Sequence, residues 1–177
     1  LIRFYVFAIV ITLSWSMQLS IFFGMIYDTY HLTYSQLGAM YTAACVVKAL
    51  FQLPAGKIID KYGRKRILLL SEVVGLVVVT GYLLSQDFQG FLLSYALFGL
   101  FSSLFNPAYL AYLSDATTTE ERAKTMGDLN ALKGLIAFPA PFIGGFLYDQ
   151  IGFHAPILAN FTLLVIALLP LIAVEER

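Results

Sequence analysis

The sequence predicts an all-α membrane protein in which six transmembrane helices form an inverted repeat of three plus three. Its composition points to a membrane, because 59% of the 177 residues are apolar and only 12% are charged, about half the charged share of a soluble domain. Six apolar segments are each long enough to cross a bilayer, which takes about 20 residues. Lysine and arginine fall on alternate turns, as in membrane proteins of fixed orientation. A water-soluble enzyme is therefore not expected.

The six predicted spans follow one another with only short turns between them. In order they are span A, about residues 4–27; span B, 35–59; span C, 67–86; span D, 90–113; span E, 125–148; and span F, 155–174. Helices satisfy their own backbone hydrogen bonds and are therefore the expected structure in lipid. Since no room is left for a soluble domain, we expect one membrane domain over residues 1–177, surrounded by the lipid bilayer.

The basic residues predict the direction of the chain through the membrane. Nine of the eleven lie on one side of the spans: Arg3, Lys57, Lys61, Arg64, Lys65, Arg66, Arg122, Lys124 and Arg177. The turns after spans A, C and E carry none. Cytoplasmic loops retain lysine and arginine, so we expect both termini in the cytoplasm and the protein in the plasma (inner) membrane. Because the first residue is Leu1 rather than Met, we also expect a piece of a longer chain.

Charge and cysteine content exclude several other functions. The 11 basic and 11 acidic residues cancel, so nucleic-acid binding is not predicted. Cys45 lies in an apolar stretch and is expected to be buried. His31 and His154 lie in outer turns without Cys, Asp or Glu at ligand spacing, and no phosphate-binding loop is present. Neither a metal nor a cofactor is therefore predicted.

The chain repeats itself at half its length. A shift of 89 residues superposes four pairs: Gly38 on Gly127, Gly56 on Gly145, Asp60 on Asp149 and Gly63 on Gly152. The repeat units are about residues 1–88 and 89–177. Each unit has three spans, so the second must cross the membrane in the opposite sense, which is a transporter architecture.

The turn between spans B and C carries a charged motif. It consists of Gly56, Asp60, Gly63, Arg64, Lys65 and Arg66. Gly56 is expected to let another helix approach closely, and Asp60 to cap the N-terminus of a neighbouring helix. Arg64 is expected to hold the Asp60 carboxylate, and Gly63 to permit the tight turn. The alternative is that the positive charges of this turn only fix the topology.

This motif closely resembles the signature loop of major facilitator superfamily transporters, found between the second and third helices of each half. The resemblance implies twelve spans in two six-span halves, of which this chain is one. It also implies that the loop latches one closed state and releases when the halves rock. First halves often have arginine and glutamine where Tyr95 and Phe98 precede Gly99, so we expect the C-terminal half.

A second element of the family lies in span E. The stretch contains Pro139, Pro141, Gly144 and Gly145, and it resembles the Gly-Pro-x-x-Gly-Gly element in the fifth helix of antiporters. Paired prolines predict a bend, and paired glycines a smooth packing face. The alternative is simple packing of a kinked helix, without antiport.

Polar residues within the spans are the candidates for a substrate or coupling pathway. They are Lys48, Ser14, Gln18, Asn106 and Lys133. Lys48 is the deepest, about 18 Å along span B from Asp60. Asn106 opens an Asn-Pro-Ala tripeptide typical of water channels, but the repeat offers no second tripeptide, so a water channel is not favoured. Glu72 is expected to pair with the basic turn beside it.

We therefore expect secondary active transport of a small solute by alternating access, coupled to protons or ions. An efflux antiporter is the more specific hypothesis, and the expected partner is a second six-span half. Two alternatives remain open: a non-transporting membrane protein that senses or assembles, and a six-span carrier or channel that dimerises. We do not expect an enzyme.

Overall fold

The structure is a computed structural model that describes residues 2–174. Over this range the chain forms helices joined by short turns, and no strand occurs. The helices are α1 (Ile2–Leu19), α2 (Phe22–Tyr30), α3 (Tyr34–Tyr62), α4 (Arg64–Leu84), α5 (Phe88–Asp115), α6 (Arg122–Ala137), α7 (Ala140–Ile151) and α8 (His154–Ile172). Arg177, one of the basic residues predicted to lie on one side of the spans, is outside the described residues.

Within residues 2–174, six helical segments are long and apolar enough to cross a membrane. Span A comprises α1 and α2, and span E comprises α6 and α7. The remaining spans are the single helices α3, α4, α5 and α8. The predicted all-α membrane fold with six spans is confirmed.

Capping side chains explain where α3 and α5 begin. Thr33 and Gln36 form a capping box at the start of α3: the Thr33 hydroxyl accepts from the Gln36 amide at 3.3 Å, and the Gln36 side chain accepts from the Thr33 amide at 2.9 Å. At the start of α5, Asp87 accepts a hydrogen bond from the Gly90 amide at 2.9 Å. Both helices therefore start with backbone donors satisfied at the membrane edge.

Spans A and E are each interrupted. In span E, Pro139 and Pro141 have no amide to continue the ladder, and the helix stops at Ala137 and restarts at Ala140. In span A the break falls at Ser20 and Ile21, which the sequence did not predict. The Ser20 hydroxyl donates to the Ser16 carbonyl at 2.7 Å, a local bond that bends helices.

Four helices form the centre of the molecule and two spans lie at its edges. Helix α1 packs on α8, α8 on α4, and α4 on α5. At one edge α3 packs on α5, and at the other edge α6 and α7 pack on α1. The edge spans are the least buried. Over an apolar stretch of 18 residues in each span, 17% of the residues are buried in span B and 11% in span E.

The two predicted repeat units pack in the same way, when span A is matched with D, B with E and C with F. Span B packs on span D as span E packs on span A, and C packs on D as F packs on A. Gly63 and Gly152, paired by the shift of 89 residues, both adopt positive φ, at 91° and 111°. Each donates its amide to the carbonyl four residues earlier, at Ile59 and Tyr148. Glycine adopts this conformation without steric cost, and the unit boundaries at 1–88 and 89–177 stay a prediction.

Two glycines allow the edge spans to pack closely against the central helices. A Cβ at Gly99 of α5 would lie 2.2 Å from the Ala44 carbonyl oxygen of α3, and a Cβ at Gly144 of α7 would lie 2.1 Å from the Met17 carbonyl oxygen of α1. Small residues allow this approach of backbones in membrane proteins. By contrast, a Cβ at Gly145 would meet nothing within 4 Å.

We expect Gly144→Ala to destabilise the protein by about 1–3 kcal/mol, because the new methyl group overlaps a backbone oxygen. Gly145→Ala is the matched control. Alanine favours helix by about 0.8–1 kcal/mol at either position, so the difference between the two variants isolates the clash. Unfolding in detergent micelles measures both, and equal stability of the two variants would contradict this account of the contact.

Candidate functional site

The two ends of the molecule differ in charge. Helices α3, α5 and α8 end, and α1, α4 and α6 begin, at the side that carries the basic residues, which we call the basic end. There Arg3 donates to the Ala173 carbonyl at 2.6 Å, and Lys65 donates to the Ile172 carbonyl at 2.8 Å. These cations meet the negative end of the α8 dipole. They therefore stabilise a helix terminus, whatever they contribute to topology.

The end of α5 is held in the same way. Arg122 donates to the Ser114 carbonyl at 3.1 Å. Arg64 places its Nε 2.8 Å from an oxygen of Asp115, as an ion pair rather than an aligned hydrogen bond. The predicted partner, Asp60, is 4.0 Å from Arg64 and its side chain is 78% exposed. Arg64 thus contacts Asp60, as expected from the sequence, but its closer partner is Asp115.

The glycines of the motif differ in their surroundings. Gly63 alone separates α3 from α4, and its φ of 91° makes the turn, as predicted. Gly56 is exposed, and a Cβ there would meet nothing within 4 Å. No described helix makes the close approach expected at Gly56. The face of α3 that carries Gly56 and Asp60 is therefore open, and Arg66 lies exposed on the neighbouring α4.

Three cavities open along one face of the molecule. An outer cavity of about 490 Å³ lies between α2 and α3. A middle cavity of about 110 Å³ lies between α3 and α5. An inner cavity of about 310 Å³ lies between α1, α5 and α6. Tyr41 lines the outer and middle cavities, while Phe98 and Ser102 line the middle and inner ones. We call this continuous depression the groove.

The groove belongs to spans A, B, D and E. Residues of α1, α2, α3, α5 and α6 line it, and none from α4 or α8 does. Much of its surface is aromatic: Trp15, Phe23, Tyr27, Tyr34, Tyr41, Tyr95, Phe98, Phe101 and Phe105. A concave, mostly apolar surface with a few polar groups is the usual form of a small-molecule site.

Three of the predicted pathway residues line the groove. Lys48 is exposed in the middle cavity, and Asn106 and Lys133 line the inner cavity. The Lys133 ammonium lies 4.6 Å from the ring centroid of Tyr109. The Asn106 amide donates to the Ser102 carbonyl at 3.0 Å. Cys45 also lines the middle cavity and is exposed, so the prediction that it is buried is wrong.

Ser14 and Gln18 lie elsewhere, between α1 and α8. Both are fully buried, as is Asn160 of α8. The Ser14 hydroxyl donates to the Asn160 backbone carbonyl at 3.1 Å and to its side-chain oxygen, and the Asn160 amide donates to Gln18. Hydrogen bonds of this kind join membrane helices. Sequence reasoning missed Asn160, although a polar residue inside an apolar span was a usable signal.

Glu72 is also enclosed. It is fully buried in α4, and neither carboxylate oxygen has a hydrogen-bond partner within residues 2–174. The expected pairing of Glu72 with the basic turn is therefore not found there.

At the outer end, spans A and E are joined by polar side chains. The Tyr148 hydroxyl donates to Asp28 at 2.6 Å and lies 3.0 Å from the Thr29 hydroxyl.

No cluster of three or more His, Cys, Asp or Glu residues able to hold a metal occurs among the residues searched, 2–174.

We expect a double-mutant cycle of Arg64→Gln and Asp115→Asn to show a coupling free energy of about 0.2–1 kcal/mol, as for other partly exposed ion pairs. The cycle of Arg64→Gln with Asp60→Asn should show a smaller coupling, because that pair is wider and more exposed. Unfolding at low and high salt measures both. A larger coupling to Asp60 than to Asp115 would refute the assignment of the close pair.

The sequence model of the Major Facilitator Superfamily matches residues 4–177. An uncharacterised transporter of this type from Methanocaldococcus jannaschii is 32% identical over 110 residues, which are 62% of this chain and 28% of that protein. Multidrug resistance protein 2 of Bacillus subtilis is 29% identical over 117 residues, 66% of this chain and 29% of the relative.

An uncharacterised transporter of the same type from Bacillus subtilis is 27% identical over 153 residues, 86% of this chain and 34% of the relative. The chain thus matches about a third or less of the length of these proteins. The family match spans nearly the whole chain, and together with six helices able to cross a bilayer it identifies an integral membrane protein. The chain belongs to the Major Facilitator Superfamily.

Proposed function

We propose that this chain is one six-helix half of a secondary transporter, which moves a small solute by alternating access. The observation that carries the proposal is the groove. It is a concave aromatic surface that reaches from the outer end to the middle of the spans, and it contains the membrane-embedded Lys48 and Lys133. Charged groups inside spans usually line a water-filled cavity or a solute path.

A second six-span half is the partner that we propose for this surface. Spans B and E bury the fewest residues, and both flank the groove. A second six-span half, which we place N-terminal to this one, would cover these spans and enclose the solute between two such faces. The relatives are also much longer than the matched segment. We place both termini in the cytoplasm of a plasma (inner) membrane, with the basic end on the cytoplasmic side.

Coupling to protons or ions, and efflux by antiport, are the finer parts of the proposal. Antiport is supported by the stretch from Pro139 to Gly145, which resembles the Gly-Pro-x-x-Gly-Gly element of antiporters. In this stretch the helix breaks and Gly144 contacts α1. Some relatives are named multidrug resistance proteins, which agrees with efflux. The latch is supported by the open face of α3: the Asp60 side chain is 78% exposed, and Gly56 has free space beside it.

A second copy of the same chain is the alternative cover for the groove. A contiguous exposed apolar surface often marks an interaction site. A dimerising six-span carrier or a non-transporting assembly would use the same face. Neither of them needs the groove to open alternately to the two sides of the membrane, which gives a way to distinguish them from a transporter.

Cys45 provides the test, because it is the sole cysteine of the chain and lies exposed in the groove. In the full-length protein with any other cysteines removed, we expect a membrane-impermeant maleimide to label Cys45, and a transported solute to slow that labelling. The physical reason is that thiolate forms where water reaches the sulfur. Counterflow of the same solute in proteoliposomes completes the measurement.

The matched control is Val77→Cys in a Cys45→Ala background. Val77 is 53% exposed on α4, which does not line the groove, so we place it against lipid. It should stay unlabelled. Equal labelling of both positions, or Cys45 labelling that no solute changes in a protein without counterflow, would refute the transport proposal.

Asp60→Asn tests the latch. If Asp60 caps a helix of the other half in one closed state, its loss should change the rate of Cys45 labelling by about 2- to 30-fold, equivalent to about 0.3–2 kcal/mol. Glu120→Gln removes one exposed negative charge at the same end and serves as the control. Wild-type labelling and turnover in Asp60→Asn would leave this turn with the anchoring role alone.

A further inference from the structure

The charged residues described in the groove are positive. Among residues 2–174, Lys48 and Lys133 are the only charged residues that line its three cavities, and no acidic residue of this range does. Both lie deep: Lys48 is 14 residues before the end of α3 and Lys133 is 11 residues after the start of α6. At about 1.5 Å per residue, they are about 21 Å and about 16 Å from the basic end. Their depths thus differ by only about 5 Å.

Neither lysine is neutralised by a carboxylate within residues 2–174. The ion pairs of this range involve Arg64 with Asp60 and Asp115, at the basic end. Lys133 is held by the ring of Tyr109, an attraction that leaves its positive charge in place. Embedded cations of this kind are costly, and a solute that carries a negative charge would offset that cost.

The rest of the groove suits an aromatic or other apolar group. The outer cavity of about 490 Å³ falls within the range of sites for drug-sized molecules. Its lining includes Phe23, Tyr27 and Tyr34, and Tyr41 continues it into the middle cavity beside Lys48. Aromatic rings pair with one another in stacked or edge-on contacts. A bound molecule could therefore place a ring outside and a charge inside.

We infer that the groove binds an amphipathic organic anion, with its acidic group at the depth of Lys48 and Lys133 and its apolar ring system in the outer aromatic cavity. This inference rests on the proposed function for the meaning of the groove, but it concerns binding and its charge selectivity. A lipophilic cation is disfavoured by the same two lysines, since a like charge in a site of low dielectric is repelled.

The experiment uses three probes with one ring system and different charge. They are dansylglycine, an anion; dansylamide, neutral; and N-dansylethylenediamine, a cation. Trp15 lines the inner cavity and is the single tryptophan of the chain, so energy transfer from Trp15 to the dansyl group reports occupancy. The full-length protein in lipid nanodiscs is titrated with each probe, and Trp15→Phe removes the signal that comes from this site.

We expect dansylglycine to bind at least tenfold more tightly than the cationic probe. Lys48→Gln and Lys133→Gln should each weaken dansylglycine about tenfold and change dansylamide less than twofold, which also shows that the variants are folded. Lys48→Arg retains the charge and should retain the binding. Lys57→Gln removes a charge from α3 outside the groove and should have no effect.

Tighter binding of the cationic probe, or dansylglycine affinity that neither lysine variant changes, overturns the inference. So does the absence of binding by all three probes. Charge-selective binding without counterflow would keep the inference and refute transport. Counterflow of cations that ignores both lysines would keep transport and refute the inference, so the two failures are distinguishable.

Discussion

The absence of water in the bilayer is the constraint on which the rest of this structure depends. Every backbone donor and acceptor must be paired inside the chain, which leaves helices as the form of each span. Hydroxyl side chains follow the same requirement: Thr12, Thr42 and Thr80 each donate to the carbonyl four residues earlier. Other polar groups are placed differently: Ser14, Gln18 and Asn160 pair across helices, and Lys48 lies in the groove. Glu72 is an exception, because it is buried in α4 without a hydrogen-bond partner among the described residues.

The same constraint explains the uneven distribution of charge. At the basic end, the last carbonyls of α5 and α8 have no amide partner within their own helices. Arg3, Lys65 and Arg122 donate hydrogen bonds to these carbonyls. The basic residues of this end therefore complete the hydrogen bonding of the helix ends. Arg64 adds an ion pair to Asp115 at the end of α5, which leaves Asp60 exposed on the same surface.

Composition and the length of the apolar segments were sufficient to predict the six spans, because about 20 apolar residues in lipid have few alternatives to a helix. The break at Pro139 was readable from the residue type, whereas the break at Ser20 was not, since serine is tolerated within membrane helices. The Arg64 and Asp115 pair depends on how α4 crosses α5, which no local pattern encodes. Cys45 was misjudged for a physical reason: lipid is as apolar as a protein core, so an apolar run does not say which of its sides is covered by protein.

The contacts at Gly99 and Gly144 have a consequence for how the sequence can vary. In most cores, a larger side chain on one helix can be offset by a smaller one opposite. Here the opposing atoms are the carbonyl oxygens of Ala44 and Met17, which every amino acid carries. No second substitution at position 44 or 17 can restore the lost space, so a suppressor of either glycine variant would have to move a whole helix. Gly56 and Gly145 carry no such restriction within the described chain, and only contacts made outside it could limit their replacement.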